Sequence, residues 1–101
     1  MAETFGSFVL ERLRSKGMAL REYARVVMGH DRSHGFVSRV LRGISPPPLK
    51  ALDDWAAPLG LDAEERKRFD FLAAVQHSPP AVREWFAENG VEAGGARRAR
   101  R

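Results

Sequence analysis

Glycines at 17, 29, 43 and 60 and prolines at 46 to 48, 58, 79 and 80 punctuate this chain of 101 residues, so no helix can run unbroken through it. Between the breaks, apolar residues recur at three and four, the period of a helix with one buried face. The pattern predicts an all-α chain of five to six short helices that bury their faces against one another. At 44% hydrophobic content it can build one compact core.

The first helix is predicted to open at Thr4, which can cap it, to bury Phe5, Phe8, Val9 and Leu13, and to end at Lys16 and Gly17. Glu11, Arg12, Arg14 and Ser15 form its solvated face. A second helix runs from about Leu20 to Met28 with Tyr23, Ala24 and Val27 inward and Arg21, Glu22 and Arg25 outward; Gly29 stops it. The polar turn His30, Asp31, Arg32 leads to Ser33. After Gly43, the run ISPPP cannot be helical through its middle, but Pro48 can occupy the first position of a fourth helix. That helix should bury Leu49, Leu52, Trp55, Ala56 and Leu59, expose Lys50, Asp53 and Asp54, and end or kink at Pro58. Asp62 with Glu65 makes a D-x-x-E opening for a fifth helix to about Gln76, whose Phe69, Phe71, Leu72 and Val75 cover more than one face. A sixth helix follows Ser78 and the two prolines, carries Val82, Trp85 and Phe86 on one stripe, and stops at Asn89 and Gly90. The division expected is a domain over 1–76, an added helix over 77–90, and a flexible Arg-rich tail over 91–101.

The stretch Ser33 to Gly43, SHGFVSRVLRG, has the most sharply divided faces. At 100° per residue, Phe36, Val37, Val40 and Leu41 fall within roughly 140°, and Gly35, Ser38, Arg39 and Arg42 within about 100° on the opposite side. Ser33 can cap the start, and Gly43 tolerates the positive φ of a stop. A glycine and a serine beside two arginines allow a partner to approach closely, and the guanidinium forks suit phosphate or the O6/N7 edge of guanine. Two short helices joined at a glycine, the second with a basic face, meet the description of a helix-turn-helix.

Charge divides along the chain. Residues 1–50 hold nine Lys/Arg against four Asp/Glu, residues 51–96 hold four against nine, and the final ARRARR restores the net +4. A basic half joined to an acidic half suits a protein with one side facing a polyanion. Absence of cysteine excludes disulfides and thiolate sites. No long apolar run or secretory leader is read, so no membrane association is expected, and a cytoplasmic, nucleoid-associated location is. The excess of arginine over lysine is compatible with a GC-rich bacterial or phage gene. His30 and His34 have helical metal-pair spacing, but a helix should start between them and no third ligand is evident, so neither metal nor cofactor is expected. The pairs Asp53/Asp54 and Glu64/Glu65 point in different directions on a helix, and no phosphate loop or nucleophile motif occurs, so an enzyme is not expected.

KGMALREYARVVMG, SHGFVSRVLRG and PPPLKALDDWAAPLGLDAEER together resemble the lambda-repressor-like, or Xre-family, helix-turn-helix domain over about residues 5–76. The resemblance implies five helices in one domain, with the start of the third entering the major groove. It implies that His34, Gly35, Ser38 and Arg39 read base edges, that Arg42 meets phosphate, and that Val37 offers a methyl contact to thymine, although the helical wheel puts Val37 at the edge of the buried arc. Two departures stand out. Ala19 and Leu20 occupy positions where the family has polar residues that cap the helix and grip the backbone, and the turn before helix three is two residues longer. Arg21, His30 and Arg32 lie close enough in sequence to replace the lost phosphate contacts.

These readings predict a sequence-specific double-stranded DNA-binding regulator, a repressor that acts as a homodimer on a palindromic operator. Arg12, Arg14, Arg21, Arg25, Arg32, Arg42 and the tail are candidates for the backbone. Val82, Trp85 and Phe86 are candidates for the dimer or partner interface. The alternative is a protein-interaction module, such as an antitoxin or phage regulator, that binds a protein through helices four to six.

Overall fold

Thr4 begins the first helix by a reciprocal cap: its hydroxyl accepts from the Ser7 N–H at 3.0 Å, and the Ser7 hydroxyl accepts from the Thr4 N–H at 2.9 Å. The computed structural model describes residues 3–29 and 34–89, and among these it contains six α-helices and no strand. They are α1 (Phe5–Lys16), α2 (Leu20–Met28), α3 (His34–Leu41), α4 (Leu52–Ala56), α5 (Ala63–Gln76) and α6 (Pro80–Asn89). Asp62 and Glu65 form the same kind of reciprocal cap on α5, at 2.8 and 3.0 Å. Gly17, Gly29, Gly43 and Gly60 all adopt positive φ, as stops that a side chain would strain. No helix among the described residues is long and apolar enough to cross a membrane.

The core is built round Trp55, which is fully buried and meets Phe5, Tyr23 and Phe36 at ring-centroid distances of 6.3, 6.2 and 6.2 Å. Phe69 of α5 closes the far side against Phe5, 5.0 Å away. The Tyr23 hydroxyl donates to the Trp55 carbonyl at 2.6 Å, which gives α2 a polar anchor inside the apolar centre. Burial holds the Tyr23 phenol well above its ordinary pKa.

Helix α1 crosses α3 where Gly6 sits. A β-carbon there would lie 1.8 Å from the Leu41 carbonyl oxygen, so only glycine permits the approach. Nothing in the periodicity of α1 marks this position.

Several expectations change in three dimensions. Helix four does not begin as an α-helix with Pro48 in its first turn. Pro48 precedes a 3₁₀ turn, Leu49–Ala51, and the α-helical part is only Leu52–Ala56, followed by a second 3₁₀ turn, Ala57–Leu59, that contains Pro58. The tighter winding rotates Leu49 off the stripe, and it is 54% exposed rather than inward. Pro47, read as connector, is among the fully buried side chains. Helix α6 buries none of its residues and is joined to α5 by the edge-to-face pair Phe71–Phe86, 5.5 Å apart. That contact is why α5 carries apolar residues on more than one face. Ser33, the expected cap of α3, and the tail over 91–101 lie outside the described residues.

Candidate nucleic-acid interface

Helix α3 packs against both α1 and α2. Val37 and Val40 are fully buried and Leu41 nearly so, and Gly35, Arg39 and Arg42 are exposed. The two faces separate as the helical wheel predicts. His34 and Ser38 are half-buried beside the exposed residues. Val37 has no surface to offer, which corrects the thymine contact implied by the family resemblance: the spacing of α3 points this residue at the core.

The Arg39 side chain lies back along the helix. Its guanidinium carbon stands 6.0 Å from the Phe36 ring centroid, and a β-carbon on Gly35 would lie 3.8 Å from one of its terminal nitrogens. Phe36 in turn packs edge-to-face on Trp55. Arg39 therefore rests on an aromatic ring that is itself seated on the centre of the core, which limits its rotamers while leaving its donors open.

The C-terminal end of α3 is fastened more firmly than any local signal suggests. Ile44 and Ser45 donate backbone N–H groups to the Arg39 carbonyl at 2.9 and 3.4 Å, and Gly43 donates to Val40 at 3.0 Å. The Gln76 side-chain amide, arriving from the last turn of α5, donates to the Val40 carbonyl at 2.9 Å and to the Ser45 carbonyl at 2.6 Å. His77 Nε2 bonds the Pro47 carbonyl next to it. The end of α3 and the chain leaving it are thus tied to α5, and the exposed face is held at a set angle. Sequence reasoning missed Gln76 and His77, because a polar pair at a helix end usually meets water.

Arginines divide into committed and open ones. Arg12, expected on a solvated face, instead donates to the carbonyls of Leu59 and Gly60 at 2.9 and 3.0 Å and reaches Glu65 at 3.4 Å. It staples α1 to the corner before α5 and is withdrawn from the candidate phosphate contacts. Arg66 bridges Asp70 and Asp53 at 2.8 and 2.7 Å, and its hydrogen bonds to Asp70 and then Asp53 raise its pKa. Arg68 pairs with Glu3 at 3.3 Å. By contrast, Arg14, Arg21, Arg39 and Arg42 make no ion pair among the described residues. Arg21 is exposed on the first turn of α2, and Arg42 lies at the end of α3 beside a cleft that also involves α6. Arg32 and His30 lie outside the described residues.

Ala19, which departs from the family's polar capping residue, stands at the N-cap of α2 and makes no side-chain bond, and Leu20 is half-buried against the core. The apolar residue supplies packing where a polar one would have supplied a contact. On α6, Val82 is 38% and Trp85 50% exposed, and Phe86 is half-buried on Phe71. The stripe is split: Phe86 fastens the helix while Val82 and Trp85 remain outside.

Comparison with models of protein families, with curated proteins and with solved structures gave no match to this chain.

Proposed function

We propose that the protein is a sequence-specific double-stranded DNA-binding regulator of the lambda-repressor-like type that presents the exposed face of α3 to the major groove. One observation carries the reading. Arg21, Arg39 and Arg42 make no ion pair among the described residues, whereas Arg12, Arg66 and Arg68 are consumed by carboxylates and carbonyls. Open guanidinium groups beside Gly35 and Ser38, on a helix clamped at its C-terminal end, supply both phosphate attraction and a rigid reading edge. In this scheme His34, Gly35, Ser38 and Arg39 discriminate bases, and Arg21 and Arg42 hold the backbone. The protein acts as a homodimer on a palindrome, since one helix of this length reads only a few base pairs, and represses by occupying promoter DNA. Selection of bound DNA from a random pool tests this: a short recurring half-site, present twice in inverted orientation, is the expected product. Recovery of unrelated sequences in proportion to the pool would end the reading.

A second reading rests on α6. Its Trp85 and Val82 are large apolar groups left outside on a helix with no buried residue, a surface suited to a partner protein. A partner that co-purifies through Trp85, together with DNA affinity no higher than that of a generic basic protein, would favour it.

A further inference from the structure

Between the end of α3, the start of α1 and the facing sides of α5 and α6 lies a cleft of about 220 Å³. Phe5, Leu41, Phe71, Leu72 and Phe86 give it largely apolar walls. Arg42 and Arg83 line it as well. The Arg83 Nε is buried and has no hydrogen-bond partner among the described residues. A shielded guanidinium N–H without an acceptor is costly, and an arginine so placed calls for an anion at its remaining donors. The one acid on the rim, Glu3, is bound to Arg68 at 3.3 Å.

We propose that this cleft is a binding site for a small amphipathic carboxylate, with its apolar body between α5 and α6 and its acid group on Arg83. Size and charge both argue for that occupant. By comparison with a cavity of about 150 Å³ that admits benzene, the volume takes an apolar body of roughly ten heavy atoms. The arginines at 97, 98, 100 and 101 carry the same charge as Arg83 and Arg42, so the chain's own tail is a poor occupant. Helix α6, which buries none of its residues, is the wall that can adjust to a guest. Because Arg42 is shared with the proposed DNA face, a bound acid and DNA would compete for one guanidinium; that consequence rests on the DNA reading, whereas the site does not.

The test is a titration of the ¹⁵N-labelled full chain, without DNA, with 3-phenylpropionate and with its neutral amide. The acid is expected to shift the amide resonances of residues 41–43, 71–76 and 83–87 and to bind about tenfold more tightly than the amide. Arg83→Gln should abolish the preference for the acid, Arg83→Lys should keep part of it, and the exposed Arg14→Gln should leave it unchanged. Equal affinity for acid and amide, shifts outside the cleft, or undiminished acid binding by Arg83→Lys and Arg83→Gln would overturn the proposal. Should Arg83→Gln lose the dispersed spectrum of a folded chain, the acid-to-amide ratio of the native chain and of Arg83→Lys still decides.

Discussion

The α-carbon of Gly6 faces the carbonyl oxygen of Leu41 so closely that a β-carbon would stand 1.8 Å from it. That contact sets the distance between α1 and α3, and with it the depth at which the exposed face of α3 sits. Leu41 cannot retreat, because its neighbour Val40 is held by Gln76. Gly6→Ala should therefore cost about 3 kcal/mol or more, whereas the same change at an ordinary exposed glycine in a helix stabilises by up to about 1 kcal/mol. Urea denaturation of the two proteins measures the difference, and a loss of less than 1 kcal/mol would show that the helices can separate freely.

Gln76→Leu removes the donor from two carbonyls, those of Val40 and Ser45. A loss of about 2 kcal/mol in stability is expected from acceptors left unpaired in a half-buried site. Amide exchange of Gly43, Ile44 and Ser45 should quicken as the turn loosens. Gln76→Glu should be worse than Gln76→Leu, since it places an anion against two carbonyl oxygens. A Gln76→Glu protein as stable as the native chain would contradict this clamp.

Tyr23 is the only tyrosine, so absorbance of the phenolate reports it alone. Its folded-state pKa is raised by burial. Up to about pH 10, the value of an exposed tyrosine, folded and unfolded chains both hold the proton and this group adds no pH dependence. Above that, the unfolded chain releases the proton while the folded chain keeps it, and stability falls with rising pH by up to 1.4 kcal/mol per unit, on the order of the linkage slope for one proton. Tyr23→Phe should be less stable at neutral pH by about 1 kcal/mol, the worth of the bond to the Trp55 carbonyl, and should lack that part of the alkaline decline.

Arg39 and Arg12 separate binding from folding. Replacing Arg39 by Ala should weaken binding to the selected DNA site by about 1 to 3 kcal/mol, relax its specificity, and leave the fold intact. Replacing Arg12 by Ala should do the reverse, lowering stability by about 1 to 2 kcal/mol because two carbonyls and Glu65 lose a partner, with no change in DNA affinity. Fluorescence anisotropy with labelled duplex, beside thermal unfolding, reads both. An Arg39→Ala protein that bound the selected site as tightly as the native chain would sink the base-reading role.

Deleting residues 96–101 removes four arginines. Affinity should fall similarly on selected and random DNA, and the slope of log K against log salt should flatten. A loss confined to the selected site would assign the tail a reading role instead.

The helices themselves were legible from residues at most four apart. Thr4, Asp62 with Glu65, and the glycines at 17, 29, 43 and 60 act through backbone groups of their own turn, so their effect survives in any fold. The division of α3 into a Val37–Val40–Leu41 side and a Gly35–Arg39–Arg42 side is local for the same reason: a helix places its residues by angle alone, whatever lies against it.

What only the tertiary structure decided was the use of groups whose partners lie far along the chain. Arg12 and Arg14 look alike in sequence, but α1 crosses the Leu59–Gly60 corner at Arg12, and that one is consumed. Leu49 belongs to the apolar repeat until a 3₁₀ turn rotates it outward. Gly6 looks like an ordinary weak point in a helix until Leu41 is brought against it. Gln76 reaches back 36 positions to Val40. Periodicity carries the direction of a side chain but not the identity of what it meets, because that depends on the angles at which helices cross, and those are set by the packing of the whole core round Trp55.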